Sequence, residues 1–499
     1  MKKLKIISCL VLIITILTSC QDYLNLPPKN VRGIVTLNDA KSVLGGYLQK
    51  YALVANTRVP IAGPTWTFIP EQICMFEAYS DNFDYQQTFP HVYLATISAT
   101  NEMWYANMLL WNNYTTTKTI WDTYYGAIGF MNVMLKQVSD IVEKDENLAN
   151  QMMGEMYTHR AFYLFKLLQY FAPYDKNEAG IPVYLDPGIT VLSTPRKTHK
   201  EVYSTIINDL ESALELLAVS SPKVGFNVWY NARYINNLMA QVYWFKAESA
   251  AKESSDYLKA KTYALEAVKD VDDFIPKTKD QLYSAIRGSL TNYPSYMNSS
   301  NIQGGIGPIY GHVFYYLGNY NPKAESIKVS AELFNLYSTS DIRYGAYFTP
   351  SGTLNKYWPD GEEVGLKRGL FLLFQPEEAY LILAEAHYRL NETNDCITVL
   401  NKFKSFRNAG SATGLTGVQL LNEIKNERRK EFFCHRDMRW LDLKRYGGVT
   451  ISRTMNFFGK PYTVSVPPNN FRYALPIPLT EMAVNPEMTE NPGWVPIVF

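Results

Sequence analysis

The chain has 499 residues, with 48 lysines and arginines against 47 aspartates and glutamates, so it offers no basic surplus for gripping a nucleic-acid backbone. Loss of residues 1–19 would remove Lys2, Lys3 and Lys5 and no acid, leaving 45 basic and 47 acidic side chains, a net of about −2. The length would hold about three ordinary domains, yet no Pro/Gly/Ser linker or block of like charge divides it, and a single large body (20–499) with excursions is equally allowed.

At the start, the three lysines precede an almost unbroken apolar run, Ile6 to Leu17, of signal-peptide rather than membrane-spanning length. It closes on Leu17-Thr18-Ser19-Cys20. A leucine three residues before a cysteine, with small residues between, resembles the bacterial lipobox: the signal peptide, residues 1–19, is expected to be removed and Cys20 to be lipidated as the new N-terminus. No later stretch is apolar for long enough to cross a bilayer, which leaves the acyl group as the anchor. Cys74, Cys396 and Cys434 match no metal spacing and cannot all pair; they read as buried inert thiols, with a Cys74–Cys396 bridge as the alternative.

After the anchor, Tyr23-Leu24-Asn25-Leu26-Pro27-Pro28 reads as an extended tether. Leu37 to Tyr51 carries Val43, Leu44, Tyr47, Leu48 and Tyr51 at helical spacing behind an Asn38/Asp39 cap. Residues 52–117 then lose periodicity, and their aromatic content argues against a solvated tail. Helical patterns return over Thr117 to Val142, Leu148 to Phe171, His199 to Leu217, Asn231 to Ala251 and Asp256 to Val271. Alanines such as Ala240, Ala264 and Ala267 fall where paired helices would close, which points to tetratricopeptide-like helix pairs. Residues 277–369 break the series with a second aromatic excursion. Pro376 to Leu390, Asp395 to Phe406 and Gln419 to Phe433 then resume it, so the repeat helices occupy 117–276 and 376–447. The fold class expected is mainly all-α, an α/α superhelix of helix pairs with loop-rich insertions.

The chain has 37 tyrosines and nine tryptophans, side chains with a flat apolar face and a polar edge that suit both packing and stacking on sugar rings. Insertions in a helical-repeat protein gather on one face, frequently the binding face. Trp66, Tyr79, Asp81, Asn82, Trp104, Tyr296 and Tyr315 are therefore the candidate ligand contacts; each has the alternative of being loop core, and Asp81 and Asn82 that of bonding their own loop.

Catalytic and metal readings fare poorly. His435-Arg436-Asp437 matches a kinase triplet, but Asp442 stands where a magnesium-binding Asn is needed. Cys434 and His435 point to different faces if helical and have no second pair at zinc spacing. Gly304-Gly305-Ile306-Gly307 lacks the strand and helix of a phosphate cradle. Asp81 and Asp84 are the acids within an aromatic loop, yet two acids three apart rarely flank a glycosidic bond. The Arg428, Arg429, Arg436, Arg439 and Arg445 series, with Glu427, Glu431, Asp437 and Asp442, reads as an ion-pair lattice at i, i+3 and i+4 spacing. No catalytic residue, metal site or cofactor is expected, and the chain reads as a non-enzyme.

Late in the chain a family resemblance appears. Leu420 to Phe433, running into Arg436-Asp437-Met438-Arg439-Trp440-Leu441-Asp442-Leu443-Lys444-Arg445-Tyr446-Gly447, resembles the signature helix pair of the SusD/RagB family. Trp121 with Tyr125, Ile128 and Asn132, Glu155 with Arg160-Ala161, Glu377 to Ala386, and Leu475-Pro476-Ile477-Pro478 with Glu481, Asn485-Pro486 and Asn491-Pro492-Gly493 resemble its other blocks. The chain departs from the pattern at Cys434-His435, where the family has a small or acidic residue and glycine; the change bears on how the helix ends. The resemblance implies a surface-exposed, lipid-anchored outer-membrane protein that binds oligosaccharide, or peptide in the RagB branch. It would sit as a lid on a SusC-like TonB-dependent outer-membrane transporter. A helical-repeat interaction scaffold is the other reading.

Overall fold

The computed structural model describes residues 33–53, 76–77, 79–84, 114–142, 145–187, 193–219, 231–287, 329–348, 350, 352, 356, 375–435, 437–457 and 460–494. Cys20 and the residues before it lie outside these. The principal helices are α1 (Leu37–Leu53), α2 (Tyr114–Asp140), α3 (Glu146–Phe171), α4 (His199–Ala218), α5 (Ala232–Lys246) and α6 (Asp256–Val268). Short α7 (Lys279–Arg287), α8 (Ala331–Phe334) and α9 (Ile342–Tyr347) follow, then α10 (Pro376–Arg389), α11 (Thr393–Arg407), α12 (Gly417–Glu431) and α13 (Met438–Tyr446). Among the described residues an antiparallel hairpin, β1 (Ile451–Phe457) and β2 (Lys460–Val466), pairs Ile451 with Val466, and α14 (Leu479–Val484) is the last helix.

The periodic segments become helices within a few residues of their expected ends, and the caps explain the offsets. At α1 the cap is Thr36 rather than Asn38 or Asp39: Asp39 N donates to Thr36 Oγ1 at 3.2 Å while Thr36 N donates to Asp39 Oδ2 at 3.0 Å. Asp145 caps α3, and Thr198 with Glu201 forms a reciprocal capping box at α4.

The helices stack in chain order, α2 on α3, α3 on α4, α4 on α5 and α5 on α6. The stack then continues straight from α6 to α10 and on to α11 and α12, although 107 intervening residues separate the first two in sequence. The second aromatic stretch is thus an insertion into a continuous superhelix of helix pairs. Gly154 permits the close approach of α3 and α4, since a Cβ there would stand 2.8 Å from Leu217 Cγ.

Helix α3 is the centre of the body. Every side chain from Thr158 to Phe171 is buried, and each of Leu164, Leu167 and Phe171 contributes about 1.5–3 kcal/mol of apolar transfer. Two of its buried charged groups have specific partners. Arg160 forks onto Asp209 of α4 at 2.8 and 2.6 Å and reaches Asn132 of α2 at 2.9 Å, and Lys166 binds Asp437 at 2.7 Å. The last carbonyls of α3, which have no partner within a helix, are taken by the C-terminal part of the chain. Lys444 Nζ donates to Gln169 O and Ala172 O at 2.6 and 2.7 Å, Leu475 N to Tyr170 O at 2.8 Å, and Asn491 Nδ2 to Phe171 O at 2.7 Å.

Candidate functional site

The turn formed by residues 79–84 seats on the α12–α13 hairpin. Asp81 is its anchor: Arg439 donates from Nε and Nη2 to the two carboxylate oxygens, each at 2.7 Å, and Arg429 Nη2 stands 3.3 Å from Oδ2. Arg429 also donates to Asn82 Oδ1 and Asp81 O at 2.9 Å and to Ser330 Oγ at 3.3 Å. Burial alone would raise the Asp81 carboxyl, but the two guanidiniums hold it down to about 2. It is therefore fully ionised near neutral pH.

Behind the turn lies a second carboxyl of opposite character. Glu77 is buried; its Oε1 accepts from Asn82 Nδ2 at 2.7 Å and from Cys434 N at 3.3 Å. Its Oε2 has no hydrogen-bond partner. Burial pushes this carboxyl up to about 7, against the pull of Asn82, the Cys434 amide and Lys356. Lys356 in turn donates to Phe433 O at 2.6 Å and Glu431 O at 3.4 Å, closing the end of α12, and burial lowers its ammonium to about 8. Cys434 takes the left-handed backbone region with φ +52°. A side chain in that region carries a strain that glycine would not.

The second inserted segment meets the same place. Phe83 and Val329 form an isolated antiparallel bridge, Ser330 N donates to Asn82 O at 2.8 Å, and Phe433 lies against both Phe83 and Phe348, at 5.8 and 5.4 Å between centroids. Farther along α9, buried Arg343 binds Asp341, Glu427 and Glu431, and Arg407 of α11 binds Glu377 and Glu431. On the opposite side of α12, Trp244 is held between Arg428 at 4.3 Å and Arg445 at 3.8 Å from its ring. Its Nε1 donates to Glu385 Oε2 at 2.7 Å, and Arg445 donates to both oxygens of Glu385 at 2.9 and 3.2 Å.

These contacts correct several expectations. The ion lattice is internal and mostly long-range: Lys430 with Glu427 keeps i, i+3 spacing, whereas Arg428 pairs with Asp442, Arg439 with Asp81 and Arg445 with Glu385. Among the expected ligand contacts, Tyr79 and Asn82 are 1% and 0% exposed, and both Asp81 oxygens are engaged by arginines. All three candidate contacts are engaged within the protein, because the turn that carries them is the part that docks. Trp66, Trp104, Tyr296 and Tyr315 lie outside the described residues, as does Cys74. Cys396 is a free, buried thiol whose burial pushes it up to about 12, in keeping with an inert thiol. Arg343, Arg407, Glu385, Glu77 and Lys356 were not singled out by sequence, since nothing local distinguishes a buried charged side chain from an exposed one.

The Asp81–arginine pairs at this site brace the turn. Asp81 has no proton to give near neutral pH, so it cannot be the acid of an Asp81/Asp84 glycosidase pair. Among the described residues His387, Glu392 and Asp395 approach one another closely enough to share a metal ion. However, Lys261 Nζ already sits 2.7 and 2.9 Å from the two Glu392 oxygens, so the position has its own cation.

Two family models match the chain and together span more than half of it: "Starch-binding associating with outer membrane" over residues 70–237, and "SusD family" over 377–494. The fold is similar to that of a putative sugar binding protein from Bacteroides vulgatus, with a TM-score of 0.69 and 22% identity over 93% of this chain and 100% of that one. It is also similar to a SusD-like carbohydrate binding protein from Bacteroides vulgatus, with a TM-score of 0.64 and 18% identity over 91% and 97% of the two chains. A SusD superfamily protein from Bacteroides thetaiotaomicron gives 0.63 and 17% over 92% and 100%. No curated protein sequence matches the chain.

Proposed function

The chain belongs to the SusD family, and from that membership we propose that it is a surface lipoprotein that captures oligosaccharide and delivers it to a SusC-like TonB-dependent outer-membrane transporter. The observation that carries this reading is the division of labour in the chain. The helix pairs form one continuous stack, while the described parts of both aromatic-rich stretches meet on α12 and α13. A rigid frame that gathers aromatic insertions suits stacking on sugar faces, with polar groups orienting the hydroxyls and no covalent step required. Trp66, Trp104, Tyr296 and Tyr315 are the residues of those stretches proposed to meet the sugar. Two of the solved structures of similar fold carry sugar or carbohydrate binding in their descriptions, which supports the same choice of cargo.

The membrane attachment rests on Cys20. No described helix is long and apolar enough to cross a membrane, and the first matched family is described as associating with the outer membrane; acylation at Cys20 supplies the attachment in this reading. The chain acts as a non-enzyme: among the described residues the one acid-rich aromatic turn has its carboxylate locked by arginines.

A glycan array and an oligopeptide library, both probed with residues 21–499, test the cargo. Retention of one or more oligosaccharides is expected. Binding to oligopeptides alone would move the protein to a peptide-capturing role, and binding to neither would leave the scaffold reading in its place.

A further inference from the structure

Each aromatic stretch of the sequence contributes described residues, among them 79–84 in the first and 329–348 in the second, and these touch one another. Among the described residues the backbone contact is one antiparallel bridge, Phe83 to Val329, and one hydrogen bond, from Ser330 N to Asn82 O. A two-residue bridge of this kind has little stability alone. What holds it is a guanidinium that touches both strands, since Arg429 reaches Asn82 Oδ1 and Asp81 O on one side and Ser330 Oγ on the other. Arg429 in turn needs Asp81. It and Arg439 are like charges facing one carboxylate, and without that carboxylate the pair would repel across a site from which water is largely excluded. The joint is thus built so that one negative charge fixes the relative placement of two segments that lie about 250 residues apart.

We propose that Asp81 is a positioning residue: through Arg429 and Arg439 it fastens the two aromatic stretches to each other and to the α12–α13 hairpin, so that cargo affinity depends on a charge that touches no cargo. The affinity part of this proposal rests on the oligosaccharide-binding reading; the joint itself does not. Asp81→Asn keeps the shape and removes the charge, Asp81→Glu keeps the charge on a longer stem, and Arg429→Gln removes the bridging guanidinium while leaving Asp81 paired with Arg439.

Hydrogen exchange read by mass spectrometry on the full chain in detergent, alongside retention of the same proteins on a glycan array, separates the two parts. In Asp81→Asn, exchange is expected to rise at least tenfold in 79–84 and in 329–334 together, with 146–171 and 376–407 unchanged as the control for folding. Arg429→Gln is expected to release 329–334 in the same way. Array retention of every glycan held by the wild type is expected to fall at least tenfold in Asp81→Asn and to recover in part in Asp81→Glu. Unchanged exchange at 329–334 in both variants overturns the joint. Coupled exchange with unchanged retention overturns the positioning role. A wild-type chain that retains no glycan removes the cargo reading and the positioning role with it, while the exchange data still decide the joint.

Discussion

Glu77 and Asp81, four residues apart, lie behind and on the docked turn and shift in opposite directions. Asp81 faces two guanidiniums and falls to about 2; Glu77 faces Asn82, a backbone amide and Lys356 in a buried setting and rises to about 7. The signs follow from linkage. A carboxyl raised in the folded state binds its proton more tightly there than in the unfolded chain, so its contribution falls as pH rises from about 4.5 to about 7 and stays lost above that. A depressed carboxyl such as Asp81, Glu385 or Glu427 contributes above its unfolded value, and that contribution is lost as pH falls toward about 2. Glu77→Gln should therefore gain stability relative to the wild type between about pH 4.5 and 7, by up to about 3 kcal/mol, as read by urea midpoints across that range. A difference that does not change with pH would contradict the assignment. Glu385 has the opposite role: it neutralises buried Arg445 and receives Trp244 Nε1 and Tyr446 OH. Glu385→Ala leaves that arginine uncompensated and is expected to cost about 3–5 kcal/mol, measured by chemical denaturation.

At the scale of elements, what the sequence made legible was each helix with a distinct apolar face. Residues such as Ile120, Tyr124, Ile128, Met131, Met134 and Val138 repeat on one side of α2 and are all buried there. Boundaries were less legible because capping side chains shift them, as Thr36 does at α1. The β1–β2 hairpin was missed: Tyr462, Val464 and Val466 do alternate, but the partner strand, with Arg453 and Asn456, gives a weak period-two pattern. The end of α3 shows why distant blocks of the signature matter to one helix. Asn491 holds Phe171 O and Leu475 O at 2.7 Å each, from 320 and 16 residues away. Asn491→Ala would leave buried carbonyls without that donor, at about 1–3 kcal/mol, and should raise hydrogen exchange in 475–494 before 146–160; a loss below about 0.5 kcal/mol in thermal unfolding would contradict the capping role.

For the whole molecule, the stack of helix pairs was readable from periodicity and small residues, and its continuation from α6 to α10 across an insertion was not, since only the folded chain brings those helices together. The same limit applies to the site. Asp81 and Asn82 were noticed because acids amid aromatics are unusual, but their arginine partners lie 358 and 347 residues away, so spacing carries no trace of the pairing. The helical stack with its two aromatic insertions is the frame on which the proposed role, holding a sugar and passing it on unchanged, rests. Mass spectrometry of oligosaccharides retained on, then eluted from, the immobilised chain tests this most directly. The account predicts that a subset of glycans is enriched and recovered at unaltered mass; recovery of shortened products, or enrichment of none, would contradict it.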